Sequence, residues 1–379
     1  MSFLEYNIKT VPTGFNKILY FNWALLLLIC AVAAAGFLML YSVAGGSMQP
    51  WAAPQMIRFI LGLGILIVVG IVPIWFWQSM SGLAYSTAFI LLLAVEFFGH
   101  VGMGAQRWID IGPIKLQPSE MMKFTLVMAL ATYYDALDPK KVSKPLWVLI
   151  PVIITVAPAV LVLMQPNLGT SLMLILGGAA VMFCAGVSIW YFAGVIGAGV
   201  GLVVAVFIGR GTSWQMLHDY QYRRIDTFLD PTADPLGAGY NIIQAKIALG
   251  SGGWSGKGYM QGTQSRLNFL PEKHTDFIFT TLAEEFGFIG AFSLLMLYAL
   301  IVAFCISSAL QNKNRFASLL TLGVAANFFF YLAVNLSMVM GMVPVVGVPL
   351  PLLSYGGSAM LVLLTAFGLV QSAHIHRPR

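Results

Sequence analysis

The chain has 379 residues, of which 59% are hydrophobic and only 9% are charged. Soluble globular proteins carry roughly 25% charged residues, so this composition excludes a water-soluble globular protein. It indicates a polytopic membrane protein whose backbone polar groups are satisfied within helices. The net charge of +6 indicates membrane topology and contact with anionic lipids, not nucleic-acid binding. The three cysteines lie in apolar segments and indicate neither a disulfide framework nor a metal cluster.

Ten segments reach the length of about 20 apolar residues that a membrane-spanning helix requires. The prediction is an all-α fold, with a single membrane domain over 1–379 and a retained first helix. The predicted helices are 21–41, 56–76, 81–98, 118–136, 146–164, 168–187, 189–209, 281–309, 316–340 and 353–373.

Basic residues are unevenly distributed over the short loops. With a cytoplasmic N-terminus, nine of them lie on the inner side and only Arg107 and Lys115 lie in the short outer loops. The positive-inside rule therefore predicts that both termini are cytoplasmic. The long polar loop 210–282, between the seventh and eighth helices, is then extracytoplasmic. Within it, 240–249 is predicted to form a short amphipathic helix in the membrane interface.

Two motifs flank the start of the fourth helix. In Gly104-Ala-Gln-Arg-Trp108, Arg107 can hold a phosphate and Trp108 suits the headgroup level, although an aromatic-belt tryptophan with a snorkelling arginine is the simpler interpretation. Glu120 and Lys123 are three residues apart and so share a helix face. Charges inside a bilayer are costly and usually functional, so this pair is either part of a cavity or a structural ion pair.

Two further motifs have mainly structural interpretations. Asn167 suits the N-cap of the sixth helix. The glycine-rich run 250–258 does not match a phosphate-binding P-loop, because Ser251 replaces the first glycine and Gly258 replaces the serine or threonine after the lysine. What remains is a flexible loop that can carry Lys257 to a phosphate.

The long polar loop ends in Pro271-Glu-Lys-His-Thr-Asp-Phe-Ile-Phe279, just before the apolar pattern resumes. A carboxylate at this boundary is a candidate catalytic base for a substrate that is partly lipid, and Asp276 is the residue chosen. The alternative is that Asp276 caps the eighth helix and that His274 is an ordinary loop residue.

Several motifs together resemble the SEDS family of cell-wall polymerases (shape, elongation, division and sporulation), and its RodA type in particular. The resemblance covers essentially the whole chain. The motifs that carry it are Gly104-Ala-Gln-Arg-Trp108, Gln117-Pro-Ser-Glu120 with Lys123, Ile247-Ala-Leu-Gly-Ser-Gly-Gly253, Pro271-Glu-Lys-His-Thr-Asp-Phe-Ile-Phe279 and Pro349-Leu-Pro-Leu-Leu-Ser-Tyr-Gly-Gly-Ser358.

The resemblance implies a peptidoglycan glycosyltransferase of the bacterial inner membrane that polymerises lipid II during elongation and releases polyprenyl pyrophosphate. It implies a class B penicillin-binding transpeptidase and other rod-complex membrane proteins as partners. The family's catalytic aspartate falls on Asp276, and its helix-four pair falls on Glu120 and Lys123. Relatives commonly carry aspartate where Asn167 stands, so no metal ligand is assigned. No cofactor is required, and a role for a divalent cation stays open.

In the mechanism this predicts, Asp276 deprotonates the attacking sugar hydroxyl and the anomeric carbon is inverted. The predicted substrate-binding residues are Arg107, Trp108, Glu120, Lys123, Lys257, His274 and Ser354. Arg223 and Arg224 are further candidates for the leaving pyrophosphate. Two alternatives are a flippase for the lipid-linked precursor and a non-catalytic scaffold for wall enzymes. Against the flippase, the charges cluster towards the outer ends of the helices and no internal repeat is visible.

Overall fold

The computed structural model describes most of the chain, and the protein is almost entirely helical in these regions. The described residues are 14–102, 105–111, 114–212, 215, 222, 226, 228–231, 238–267, 269–270 and 272–377.

Each of the ten predicted segments corresponds to a helix of at least 17 residues. The ten are α1 (Trp23–Val43), α2 (Ala52–Ile71), α3 (Ile74–Phe98), α4 (Pro118–Ala136), α5 (Pro145–Met164), α6 (Leu168–Cys184), α7 (Ile189–Ile208), α10 (Ile278–Leu310), α11 (Arg315–Val339) and α12 (Gly357–Ile375).

Three starting points differ from the prediction by four or more residues, and one of them is that of α2, which begins at Ala52 and not at 56. The other two have clear reasons. Helix α3 begins at Ile74, directly after Pro73, because its polar first turns dilute the apolar pattern without breaking the helix. Helix α12 begins at Gly357 and not at 353, since Pro349 and Pro351 keep the preceding segment irregular.

Eight of these helices are long and apolar enough to cross a membrane, which supports a membrane protein. Helix α6 is apolar but has only 17 residues. Helix α4 is more polar than the others and packs among α3, α5, α6 and α11. Glu120 and Lys123 are both buried there. The neighbouring helices therefore shield the charges of α4 from lipid.

The loop between α3 and α4 was not predicted to contain strands, but it forms a small antiparallel sheet. Its strands are β1 (His100–Gly102), β2 (Ala105–Ile111) and β3 (Ile114–Leu116), in the order β1-β2-β3. Trp108 in β2 lies opposite His100 in β1. The sheet therefore fixes the backbone of the segment that carries Arg107 and Trp108.

Helices α2 and α12 pack side by side and run in the same direction. At their starts, the Gln55 Nε2 donates to the Ser354 carbonyl at 3.0 Å, and at their ends the Ser372 Oγ donates to the Val72 carbonyl at 2.6 Å. A Cβ on Gly62 would lie 2.3 Å from the Leu364 Cδ1. Small residues thus allow the two backbones to approach closely, and the N-termini of both helices lie at the same end of the bundle.

The described part of the long loop contains α8 (Ala238–Ser251) and the short α9 (Thr263–Arg266). Helix α8 confirms the helix predicted over 240–249. The glycine-rich run that follows packs on the first turns of α10. The Lys257 and Gly258 N–H groups donate to the carbonyls of Glu284 and Glu285, both at 3.0 Å. This run is therefore a packing element against α10.

Helix α10 is interrupted at Gly287, where φ is 64° and ψ is −161°. A Cβ at Gly287 would lie 2.3 Å from the Gly256 nitrogen. Replacing Gly287 by alanine is expected to destabilise the protein by at least about 1–3 kcal/mol, because side chains disfavour this backbone conformation and the clash is with backbone. Thermal unfolding of the purified protein in detergent would measure this. The control is Gly64→Ala in α2, where a Cβ meets nothing within 4 Å and where alanine should stabilise by roughly 0.5–1 kcal/mol. Equal unfolding temperatures for the two variants would contradict the expectation.

Candidate active site

Asp276 lies in the turn 272–277 that leads into α10, and its backbone is held by α11. The Asn335 Nδ2 donates to the Asp276 carbonyl at 2.9 Å and to the Val348 carbonyl at 2.7 Å. A Cβ on Gly347 would lie 3.7 Å from the Asp276 Oδ2. The carboxylate of Asp276 therefore faces the irregular segment between α11 and α12.

The same turn is held from the other side by the segment before α12. The Ser354 Oγ donates to the Thr275 carbonyl at 2.6 Å and accepts from the Leu350 N–H at 2.8 Å. The Tyr355 N–H donates to the His274 carbonyl at 2.9 Å. Ser354 thus holds the turn through the backbone of Thr275, the residue before Asp276.

Asp276 is half-buried, and it does not cap α10. The N-cap position is taken by Phe277, and no side chain caps this helix, so the structural alternative for Asp276 is not observed. Burial, together with the nearby carboxylate of Glu272, raises the pKa of Asp276 to about 6. A carboxylate with a pKa near 6 accepts a proton more readily than an ordinary aspartate and remains ionised at pH 7.

His274 lies within a stack of rings beside this turn. Its ring centroid is 4.6 Å from that of Trp51, with the planes 15° apart, and 6.1 Å from that of Tyr355. Burial lowers the pKa of His274 below its usual range, against the opposing effect of Glu272. The imidazole is therefore neutral at pH 7, and it orders the turn by packing.

A narrow cleft lies beside Ser354, the residue that holds this turn through the Thr275 carbonyl. Its walls are mostly apolar, and Glu120 is the acidic residue that lines it. Residues from four helices and the segment before α12 form it: Gln55, Glu120, Phe124, Tyr331, Pro349, Leu350, Pro351, Leu352, Ser354, Gly356, Ala359, Met360 and Leu363.

Glu120 and Lys123 form the predicted pair at the wall of this cleft. The Lys123 Nζ is 2.7 Å from the Glu120 Oε1. The Lys123 side chain is fully buried, whereas that of Glu120 is 12% exposed. The Lys123 Nζ also lies 4.3 Å from the centroid of the Tyr331 ring. The carboxylate of this pair thus reaches the cleft, while the ammonium lies behind it.

The other predicted site residues lie elsewhere. The Arg107 Nε donates to the Gln165 carbonyl at 3.0 Å, and its Nη2 donates to the Pro166 carbonyl. Trp108 is half-buried in β2. The Lys257 Nζ is 2.6 Å from the Glu284 Oε1. Arg107 and Lys257 therefore have protein partners, whereas His274, Asp276 and Ser354 come together. Arg223 and Arg224 lie outside the described residues.

Asn167 has the predicted capping role, because its Oδ1 accepts from the Thr170 N–H at 3.3 Å. Among the residues that the structure describes, no three His, Cys, Asp or Glu side chains come together as a metal site. Arg58 in α2 also lies near the cleft and was not predicted from the sequence. Its guanidinium carbon lies 5.0 Å from the centroid of the Tyr355 ring. The sequence does contain an indication of a role for Arg58, because an arginine within a predicted membrane span is unusual.

A family model for the cell cycle proteins FtsW, RodA and SpoVE matches residues 19–379. The chain belongs to this family. This confirms the predicted SEDS membership. The chain is 42% identical to the peptidoglycan glycosyltransferase MrdB of Escherichia coli K12, with 93% of each chain covered. It is 34% identical to the probable peptidoglycan glycosyltransferase FtsW of Escherichia coli O6:H1, covering 93% of this chain and 85% of the relative.

Two solved structures of the FtsW/RodA/SpoVE fold are similar over nearly the whole chain. One is a chain of a peptidoglycan synthase complex that coordinates polymerisation and crosslinking, with a TM-score of 0.79 and 30% identity over 93% of this chain and 97% of that one. The other is the rod shape determining protein RodA of Thermus thermophilus. Its TM-score is 0.70, with 27% identity over 95% of this chain and 98% of that one. Both likenesses support the helical arrangement described above.

Proposed function

We propose that the chain is a peptidoglycan glycosyltransferase that polymerises lipid II into glycan strands during cell elongation and releases polyprenyl pyrophosphate. The family and the 42% identity to MrdB support the class of enzyme. The observation that carries the mechanism is Asp276, a half-buried carboxylate with a pKa of about 6. Its turn is held by Ser354, which lines the cleft together with Glu120. The reaction needs no organic cofactor, since the substrate carries its own leaving group.

In this mechanism Asp276 takes the proton of the attacking sugar hydroxyl. The attack inverts the anomeric carbon of the second lipid-linked sugar, and no covalent intermediate is required. Asn335 and Ser354 hold the backbone on both sides of Asp276. A base held by two neighbouring elements loses little freedom in the transition state, which favours a fast proton transfer.

The remaining substrate contacts belong to the same proposal. Glu120, with Lys123 behind it, binds the sugar headgroup in the cleft. The ring of His274 packs against this headgroup. Arg107, Trp108 and Lys257 would contact the substrate only after leaving or sharing their present partners. The apolar walls of the cleft suit the first prenyl units.

The proposed topology has ten membrane spans, two cytoplasmic termini and an extracytoplasmic loop over 210–282 in the bacterial inner membrane. The charge distribution over the short loops supports it. The proposed partners are a class B penicillin-binding transpeptidase and other membrane proteins of the rod complex. The likeness to a chain of a peptidoglycan synthase complex supports a transpeptidase partner.

The test is polymerisation of lipid II by the purified protein in detergent, with and without a co-purified transpeptidase, followed as glycan chains on a gel. A ladder of products that requires the chain would support the proposal. No product even with the partner would reject polymerisation, and lipid II transport into vesicles would then be measured.

The pH dependence of this reaction follows from the raised pKa of Asp276. The base acts in its ionised form, which is lost as the pH falls through about 6. The rate at low lipid II concentration is therefore expected to rise with pH through about 6 and then to level off. Initial rates between pH 4.5 and 8 would measure this, with intrinsic fluorescence as the control for folding. A rate that is already almost level from pH 4.5 upwards, as expected for the ordinary aspartate pKa of about 3.9, would contradict the assigned environment.

A further inference from the structure

Arg58 is a half-buried arginine near the cleft, and one of its guanidinium nitrogens lacks a hydrogen-bond partner. Its Nη1 is buried and has no partner among the described residues. The guanidinium stacks on Tyr355 at 5.0 Å. An unsatisfied charged donor in such a place is costly, so an anion that pairs with it would be bound favourably. By contrast, Lys123 pairs with Glu120 and Lys257 with Glu284.

The N-terminus of α12 presents further donors beside Arg58. No side chain caps this helix, and the N–H groups of a first turn have no acceptor within their own helix. Gly356 and Gly357 place no side chain over them. Ser358, in the first turn, is only 3% exposed, yet its Oγ has no hydrogen-bond partner. Helical side chains tilt towards the N-terminus, so this hydroxyl lies beside the free N–H groups.

The direction of α2 adds to the positive potential at this point. Because α2 and α12 run in parallel, their positive ends lie together. Gln55, one turn before Arg58 on α2, accepts from the Gly356 N–H at 3.3 Å through its Oε1. This contact holds the start of α12 against α2. Gln55, Gly356 and Ala359 also line the cleft, so an anion bound here would lie at its wall.

We propose that Arg58, Ser358 and the free N–H groups of α12 form a binding site for a pyrophosphate group of a lipid-linked molecule. The inference rests on the proposed function, because it deepens the account of substrate binding at the same cleft. Pyrophosphate accepts hydrogen bonds from several directions, which matches a guanidinium, a hydroxyl and a helix N-terminus. The site holds the pyrophosphate of the donor while the anomeric carbon is attacked. It still holds the polyprenyl pyrophosphate after the bond to the sugar has broken.

The test is direct binding, which does not depend on turnover. The protein is placed in nanodiscs of uncharged phosphatidylcholine, and a fluorescent polyprenyl pyrophosphate is titrated. Arg58→Gln is expected to weaken binding about 10- to 100-fold, the loss expected for a charge-assisted hydrogen bond, and Ser358→Ala by about 3- to 10-fold. Arg266→Gln, an exposed arginine of α9, is the matched control and should bind as the wild type does.

Competition experiments identify the source of the anion. Displacement of the probe by inorganic pyrophosphate, lost in Arg58→Gln, would support the site with a free anion as occupant. Displacement by the lipid-linked form alone would support it with a lipid headgroup as occupant. The uncharged polyprenol should not compete, and equal competition by it would overturn the proposal. Wild-type affinity in Arg58→Gln would also overturn the proposal. If Arg58→Gln fails to fold, Ser358→Ala and Arg58→Lys are measured instead, and wild-type affinity in both would overturn it.

The two proposals fail in different ways. Asp276→Asn should bind the pyrophosphate probe normally although it does not polymerise. A wild-type protein that makes no glycan but binds the probe through Arg58 would reject the polymerase and keep the site. If the wild type polymerises and Arg58→Gln binds the probe and polymerises equally well, the proposed site is rejected and the polymerase is kept.

Discussion

Replacing Asp276 by asparagine is expected to lower lipid II polymerisation by at least about 100-fold, the lower limit for loss of a general base. Asparagine has nearly the same volume and cannot take a proton from the sugar hydroxyl. The contacts that hold this turn use the backbone carbonyls of Thr275 and Asp276. They survive the substitution, so the protein should fold as the wild type does. Glycan chains on a gel and a thermal unfolding curve measure the two effects.

The matched control is Asp226→Asn in the described part of the long loop. Asp226 pairs with Arg210 at 2.7 Å, and both side chains are more than 40% exposed. Exposed ion pairs contribute little to stability, about 0–1 kcal/mol, so this variant should keep full activity. A fully active Asp276→Asn protein would show that the base lies elsewhere, and Glu120→Gln would be tested next.

Replacing Lys123 by methionine is expected to destabilise the protein by about 3–5 kcal/mol, because it leaves Glu120 without its buried partner. The distance of 2.7 Å and the complete burial of the Lys123 side chain make this pair a buried salt bridge. Activity should be lost together with folded protein. The measurement is thermal unfolding in detergent, combined with the yield of protein that elutes as a single species.

A double variant separates the structural from the functional role of this pair. Lys123→Met combined with Glu120→Gln removes both charges and should recover most of the stability. If Glu120 also contacts substrate, the double variant stays inactive although it is folded. A folded and fully active double variant would show that the pair serves stability alone.

The membrane helices could be predicted because the pattern depends on length and hydropathy alone. The contacts around Asp276 could not. Ser354 and Thr275 are 79 residues apart in sequence, and both lie in irregular segments whose course no periodicity describes. The sequence therefore singled out Ser354 separately from the motif that contains His274 and Asp276, and the structure shows that the three lie together.

The unpredicted features have local causes. Two of the three strands before α4 have only three residues, too few to show an alternating pattern. In the seven-residue β2, the adjacent polar residues Gln106 and Arg107 interrupt the alternation. Lys257 was assigned to a phosphate on the basis of the flexibility of its glycine-rich run. In the structure those glycines pack on α10, since a Cβ on Gly256 would lie 2.1 Å from the Glu285 carbonyl oxygen, and this packing directs Lys257 to Glu284.

The parallel packing of α2 and α12 has a consequence for biosynthesis. Gln55 and Ser354 contact each other across 299 residues. A ribosome that adds about 5–20 residues per second needs roughly 15–60 s to cover that distance. During this interval α2 is already in the membrane, but Gln55 and Arg58 lack the contacts that they make with residues 354–356 in the folded protein. A nascent chain that lacks α12 therefore has no assembled cleft, and we expect chaperones or proteases of the membrane to recognise it by these polar side chains.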